Sequence, residues 1–174
     1  MRTDPGERPG ILVALDVLVL EDRESPRPLD SAATALDRLA WVGRPAVLAG
    51  HELFGRRLPQ AEDDRVAWVR GTFGQDSLDV YPFDEPEADR AGEAAHAIER
   101  WTEARERWQA TWLLTSRVTS VGAARRADLQ IVRIGPRGAD ATAAVERADY
   151  EARDLLDAVS HLLTRDAFSA GRSG

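Results

Sequence analysis

Apolar runs of strand length alternate with amphipathic stretches of helical length along this chain. The first run, Ile11 to Leu20, is apolar on both faces except for Asp16. Continuous apolar strands that alternate with helices are typical of an α/β fold with a mostly parallel sheet, because such strands are covered on both faces. An unpaired buried carboxylate is costly, so we expect Asp16 to lie at the C-terminal end of its strand.

Helical periodicity is clearest at two places. Apolar residues recur at helical spacing between positions 29 and 40, where Asp30 or Ser31 is a plausible N-cap and Gly43 a stop. The stretch from 152 to 163 carries the cleanest apolar stripe and predicts the last helix. The sequence therefore predicts a helix early in the chain and another near its end.

The middle of the chain is less regular. Strands are predicted near 46–49 and 66–69, the Gly- and Pro-rich stretch 71–87 looks irregular, and a long helix is predicted from Pro86 to Trp108. Most of the five tryptophans should lie in the core, although the pair on the long helix could extend onto a protein-binding face. They are Trp41, Trp68, Trp101, Trp108 and Trp112.

Composition narrows the class of protein. With 174 residues and 43% hydrophobic content we expect one domain at 10–166, a flexible N-terminus at 1–9 and a flexible tail at 167–174. A net charge of −7 argues against a nucleic-acid partner. The absence of cysteine excludes disulfides and thiolate metal sites. No apolar run approaches the roughly 18 residues of a membrane span, so we expect a cytoplasmic protein without membrane contact.

The segment from Thr111 to Gly135 reads as an apolar strand, a short polar turn, an Ala-rich helix and a second strand. This layout resembles the last catalytic motif of the haloacid-dehalogenase-like (HAD-like) phosphatases. In that family the turn reads approximately Gly-Asp-x-x-x-Asp, and its carboxylates hold Mg²⁺. Thr115, Ser116 and Ser120 occupy these places here, and neutral hydroxyls are poor anchors for Mg²⁺.

The earlier motifs show the same loss. The first strand resembles the family's opening strand, which ends in Asp-x-Asp-x-Thr with a nucleophile and an acid/base; Asp16 remains, but Leu18 and Leu20 replace the other two residues. Gly50 stands where the family places a phosphate-binding Thr or Ser. The family's phosphate-binding Lys is missing, because all 23 basic residues are Arg, and a guanidinium is not equivalent to an ammonium.

The resemblance covers roughly residues 10 to 165. It implies a three-layer Rossmann-like (HAD-like) α/β domain with a mostly parallel sheet and no large cap. We expect a catalytically degenerate member, a pseudophosphatase with a binding or assembly role, no cofactor, no metal site and a protein partner, a second copy or a small anion as ligand. The candidate site residues are Asp16 and His51 for catalysis, with Gly50, Ser116, Ser120 and Arg117 for ligand binding.

Two alternatives remain open on the sequence. One is a weak or metal-independent hydrolase or phosphatase that uses Asp16, with His51 as an acid/base near neutral pH. The other is a flavodoxin-like or Rossmann-like binding module unrelated to the HAD-like proteins, which would explain the α/β alternation equally well. A His51-Glu52 pair without a second His four residues after the first excludes the zinc-protease motif.

Overall fold

The computed structural model describes residues 9–20, 26–50, 52–53, 56–82, 110–116, 124–125, 128–135 and 147–170. The strands are β1 (Gly10–Ala14), β2 (Val19–Leu20), β3 (Arg27–Pro28), β4 (Arg44–Ala49), β5 (Glu52–Leu53), β6 (Arg56–Arg57), β7 (Asp79–Pro82), β8 (Ala110–Thr115), β9 (Gln130–Ile134) and β10 (Tyr150–Ala152). The helices of this part are α1 (Ala32–Val42), α2 (Glu62–Phe73) and α3 (Leu155–Ala170).

Six strands form one central sheet in the order β10-β9-β8-β1-β4-β7, and every neighbouring pair is parallel. Two short antiparallel pairs, β2 with β3 and β5 with β6, lie outside this sheet. The first strand is thus in the middle, with β4 on one side and β8 on the other. The carboxyl ends of these three strands meet at one edge, where open α/β sheets bind ligands.

Both faces of the sheet are covered. Ile11 and Val13 of β1 belong to a buried cluster that includes side chains of α1 and α3, two helices that pack against each other. Leu12 and its counterparts on the opposite face, Ala46 and Leu113, are also buried. Because successive side chains of a strand point to opposite faces, the sheet has a buried layer on each side. The predicted three-layer α/β architecture is therefore confirmed.

The prediction of a strand near 66–69 is wrong, because these residues lie inside α2. The buried positions of this helix are Arg65, Val69 and Phe73, which are spaced by four residues and lie on one face. Because the first residue of this buried face is charged, the sequence lacks the apolar periodicity of a helix. The run Val-Ala-Trp-Val is instead typical of a strand. The helix ends at Gly74, whose φ of 63° is left-handed.

Other boundaries also differ from the sequence predictions. The first strand ends at Ala14 rather than Leu20, and the stretch predicted to be irregular contains β7. α1 begins after Ser31 and ends at Gly43, as the capping pattern predicts. Of the tryptophans, Trp41 is 72% exposed and not in the core, whereas Trp68 and Trp112 pack against the core. The long helix predicted from 86 to 108, with its two tryptophans, lies outside the described residues.

Hydrogen bonds at its first turn fix the start of α3. Asp154 Oδ1 accepts the Asp157 backbone N–H at 2.8 Å, and Asp157 Oδ2 accepts the Arg153 N–H at 2.9 Å. This reciprocal arrangement is similar to a capping box. The Arg153 backbone N–H is the main reason why the pKa of Asp157 is lowered from its ordinary value. None of the helices in the described ranges is long and apolar enough to cross a bilayer.

Candidate functional site

Asp16 lies in a 3-10 turn, Leu15–Val17, that directly follows β1 and contacts both β4 and β8. The residues on either side, Leu15 and Val17, are buried in the core, while Asp16 itself is partly exposed. The two apolar anchors hold the turn against the sheet, so the carboxylate is directed to the edge of the sheet and avoids the cost of burial. The predicted position of Asp16 at the carboxyl end of the first strand is confirmed.

Ser116 is the residue that contacts Asp16. It directly follows β8, which pairs with β1, and its side chain is exposed. The Ser116 hydroxyl donates a hydrogen bond to Asp16 Oδ2 across 100 positions of sequence. The expected convergence of these two residues is therefore present, and the hydroxyl occupies one oxygen of the carboxylate.

Gly50 lies at the same edge on the other side of Asp16. It directly follows β4, which pairs with β1 in a register that aligns Leu48 with Ala14. Gly50 is buried and brings no side-chain donor. Among the described residues at this edge, the ends of β1 and β8 therefore contribute a carboxylate and a hydroxyl, and Gly50 at the end of β4 contributes backbone alone.

Leu18 occupies the position two residues after Asp16, where the resemblance places an acid/base. Its side chain is 0% exposed and belongs to the core. Its backbone is fixed as well, because the Leu18 N–H donates to Leu15 O at 3.0 Å and its carbonyl accepts the Leu29 N–H at 2.9 Å. This position therefore contributes packing and no proton-transfer group.

Three predicted site residues, His51, Arg117 and Ser120, lie outside the described residues. Their assignments as catalytic or ligand-binding residues stay predictions. Because each directly follows, or lies within four residues of, a described residue at the crevice edge, the topology leaves them as candidates for the same region.

Among the residues that the structure describes, those at this edge do not fit the Mg²⁺ that the resemblance implies. Mg²⁺ requires near-octahedral oxygen coordination, usually with carboxylates among its ligands. In the parts of the chain that the structure describes, no group of three or more His, Cys, Asp or Glu side chains is placed to hold a metal. At the crevice edge, Asp16 is accompanied by the Ser116 hydroxyl and by the apolar Leu18.

Sequence reasoning missed Arg65, which is 0% exposed and lies behind the end of β4. One of its guanidinium nitrogens, Nη1, donates to the carbonyl of Ala49, the last residue of β4, at 3.3 Å. The available signal was the spacing of Arg65, Val69 and Phe73, which becomes a buried helical stripe once a charged residue is admitted to it.

His161 is partly buried within an aromatic cluster. Its ring stacks on Tyr150 with centroids 3.8 Å apart and meets Trp112 edge-on at 6.1 Å. Burial lowers the pKa of His161, and the positive charge of Arg165 adds to this effect, while Asp157 opposes it. The ring packs against Trp112 of β8 and Tyr150 of β10, beside the main apolar stripe of its helix. These contacts are with the sheet, and the site at Asp16 does not include this histidine.

The fold is similar to that of solved HAD-like hydrolases. A D,D-heptose 1,7-bisphosphate phosphatase from B. bronchiseptica, complexed with magnesium and phosphate, superposes with a TM-score of 0.64 at 14% identity, over 90% of this chain and 99% of that one. The Burkholderia thailandensis counterpart gives 0.63 at 12% identity, over 89% and 98%. This chain has the haloacid-dehalogenase-like fold. The comparison favours this fold over an unrelated flavodoxin-like module.

A larger protein shares the same core. An L-2-haloacid dehalogenase superposes with a TM-score of 0.53 at 18% identity, over 80% of this chain but only 57% of that one. The chain therefore spans nearly the whole of the heptose bisphosphate phosphatases and just over half of the dehalogenase. No protein-family model and no curated protein sequence matches the chain.

Proposed function

We propose that this protein is a catalytically degenerate HAD-like protein, a pseudophosphatase whose crevice serves binding or assembly. One observation supports the proposal: Leu18, two residues after Asp16 at the position where the resemblance implies an acid/base, is wholly buried. A general acid/base must reach the proton that it transfers. An apolar side chain packed into the core does not have this role.

The state of Asp16 supports the same proposal. A carboxylate that attacks a phosphate dianion needs metal or cationic groups to offset the repulsion between like charges. Asp16 instead receives a hydrogen bond from the neutral Ser116 hydroxyl. That bond orients the carboxylate without offsetting its full charge, so it favours a binding site over a phosphoryl-transfer site.

The solved structures with a similar fold support an inference about the shape of the site more than about its chemistry. The heptose bisphosphate phosphatase whose fold this chain shares is described in complex with magnesium and phosphate. At 14% identity that likeness supports a crevice at the same edge of the sheet, and the residues at that edge support binding. We propose a protein partner or a second copy of the chain as the main ligand, with a small anion as the alternative.

A panel of phosphomonoesters with millimolar Mg²⁺ tests the loss of catalysis. We expect no phosphate release above a buffer control, and the Asp16→Asn variant should behave as the parent does. Turnover of the parent near 1 s⁻¹, within the usual range for enzymes, that disappears in Asp16→Asn would contradict the proposal. Sedimentation of the parent across a range of protein concentrations tests assembly with a second copy.

A metal-independent hydrolase is the second candidate. It is favoured by the partial exposure of Asp16 at the carboxyl end of β1, where a nucleophile would stand. The same panel in EDTA, extended with an L-2-haloacid because a dehalogenase shares the fold, separates the two candidates. Product release that persists in EDTA and is lost in Asp16→Asn would establish the hydrolase, and its absence favours the pseudophosphatase.

A further inference from the structure

Arg65 carries a positive charge at a position where a charge is energetically unfavourable. It is 0% exposed and lies in the first turn of α2, where the helix dipole is positive. Removing a charge from water costs several kcal/mol unless hydrogen bonds replace the lost solvation. The acidic side chains of the same turn, Glu62, Asp63 and Asp64, favour the helix start but are exposed. An arginine at this position therefore points to a role that an apolar residue of similar size would not fill.

The contacts of the guanidinium indicate that role. Nε donates to the carbonyl of Pro59 at 2.9 Å, Nη2 donates to that of Gln60 at 3.0 Å, and Nη1 donates to that of Ala49 at 3.3 Å. The donors of a guanidinium have a fixed planar geometry, so these three bonds also fix the acceptors relative to one another. One side chain thus joins two backbone segments that are ten positions apart in the sequence.

These acceptors bracket a single excursion of the chain. In segment 50–58, between Ala49, the last residue of β4, and Pro59, lie β5 and β6, which pair with each other as an antiparallel hairpin outside the main sheet. Leu53 and Leu58 are buried in the core and anchor the segment from within. The segment begins at Gly50, which follows β4 at the edge where the neighbouring β1 ends in the Asp16 turn, so the hold on its first end acts at that edge.

We propose that Arg65 is the positioning residue of the candidate site. Its guanidinium holds both ends of segment 50–58 and thereby sets the position of the β5–β6 hairpin at the edge of the Asp16–Ser116 crevice. The inference depends on the proposed function in taking this crevice as the binding site. It concerns the position of the wall and requires neither a particular ligand nor catalysis.

Hydrogen exchange and chemical shifts of the ligand-free, full-length protein test the proposal. Arg65→Lys keeps the charge but removes the planar fork, and Arg65→Met removes both. Arg70→Lys is the matched control, because the Arg70 Nε on the same helix donates to the Leu78 carbonyl at 2.9 Å, away from the hairpin. Both Arg65 variants should speed amide exchange in segment 50–58 by about tenfold to a hundredfold, as expected when several bonds are lost locally.

The pattern of the changes decides the matter. Amides of β9 and β10 should change far less than those of the hairpin, and the Gly50 and Asp16 amide signals should shift in Arg65→Lys but not in Arg70→Lys. An equal acceleration at every amide would mean that Arg65 only stabilises the fold. Unchanged amide exchange in the hairpin would overturn the proposal that Arg65 holds both ends of segment 50–58. A loosened hairpin with unshifted Gly50 and Asp16 signals would overturn its link to the site.

A measurement on the parent protein covers the case in which the variants do not fold. Bonds to three carbonyls should slow both rotation and hydrogen exchange of the guanidinium, so Arg65, assigned by its own side-chain signals, should give resolved Nη signals in ¹⁵N–¹H spectra. Absence of such signals would overturn the proposal without any variant. Because neither measurement uses a substrate, phosphate release in the phosphomonoester panel would contradict the proposed function while leaving the role of Arg65 intact.

Discussion

Replacing Ser116 by Asp tests whether the crevice is built as described. The Ser116 hydroxyl contacts Asp16 Oδ2, so the change places two carboxylates within about 4 Å of each other. At that distance two unit charges repel by roughly 1 kcal/mol in water and about 4 kcal/mol at the effective dielectric of a protein surface. Because Ser116 is exposed and Asp16 partly exposed, we expect the lower part of this range, about 1–2 kcal/mol.

The expected change in melting temperature follows from chain length. For a domain of this size about 1 kcal/mol lowers Tm by roughly 2–4 °C, so Ser116→Asp should melt about 2–8 °C below Ser116→Asn. The Asn variant is the control because it has nearly the same shape without the charge. The repulsion raises the pKa of the carboxylate pair in the folded state. The destabilisation is therefore present above that raised pKa and is relieved as the pH falls through it.

Magnesium gives the second half of the test. Mg²⁺ prefers oxygen ligands and would relieve the repulsion, which stabilises the folded state by RT ln(1 + [Mg²⁺]/Kd), about 2.7 kcal/mol at a hundredfold excess over Kd. Melts of both variants in EDTA, in millimolar Mg²⁺ and in NaCl of equal ionic strength separate binding from screening. Equal melting of the Asp and Asn variants in EDTA, with no response to Mg²⁺, would refute the convergence of Asp16 and Ser116.

Three further predictions test the surroundings of the site. Leu18→Asp should cost about 3–5 kcal/mol, because it buries a charge without a partner, whereas Leu18→Met should cost less than about 1.5 kcal/mol; urea unfolding of both checks this. Gly43→Ala should destabilise the fold by about 1–3 kcal/mol, since the new Cβ would lie 2.5 Å from the Pro9 carbonyl oxygen. Gly71→Ala should instead stabilise the fold by about 0.5–1 kcal/mol, because Gly71 lies in a helix and its new Cβ would meet open space. Because burial lowers the pKa of His161, stability should fall as the pH decreases from about 6.5 through the folded pKa. Melts between pH 5 and 7.5 should show a flatter slope for His161→Phe, and an unchanged slope would contradict this.

The sequence alone predicted the parts of the fold that follow from helical periodicity and from strands that are apolar on both faces. The run from Ile11 onward is apolar on both faces because it is the central strand, and the single carboxylate in it falls in the turn after the strand. The start and stop of α1 were equally readable, because Ser31 and Gly43 mark them. Pairing of the strand ends followed from parallel topology, which brought Asp16 and Ser116 together.

What the sequence did not reveal depends on contacts that have no local pattern. Sequence patterns assign charged residues to the surface. A buried Arg65 therefore hid the helical pattern of α2, and its contact with the end of β4 could not be predicted. The acceptors of its guanidinium are backbone carbonyls, including that of Ala49, which any residue could supply. The stacking of His161 on Tyr150 is a contact of the same kind, since Tyr150 comes from a different element. Such contacts require the tertiary structure.

The proposed loss of catalysis also has a structural logic. In the HAD-like phosphatases that this chain resembles, several carboxylates share one edge and depend on Mg²⁺ to offset their repulsion. Among the described residues at this edge, Asp16 supplies a carboxylate and the Ser116 hydroxyl donates a hydrogen bond to it, which joins the ends of β1 and β8. Leu18 turns into the core instead of the crevice and adds to the packing beneath the Asp16 turn. Ser116 and Leu18 add no charge that the folded edge would have to neutralise, which is why a carboxylate introduced at Ser116 should make the edge respond to Mg²⁺.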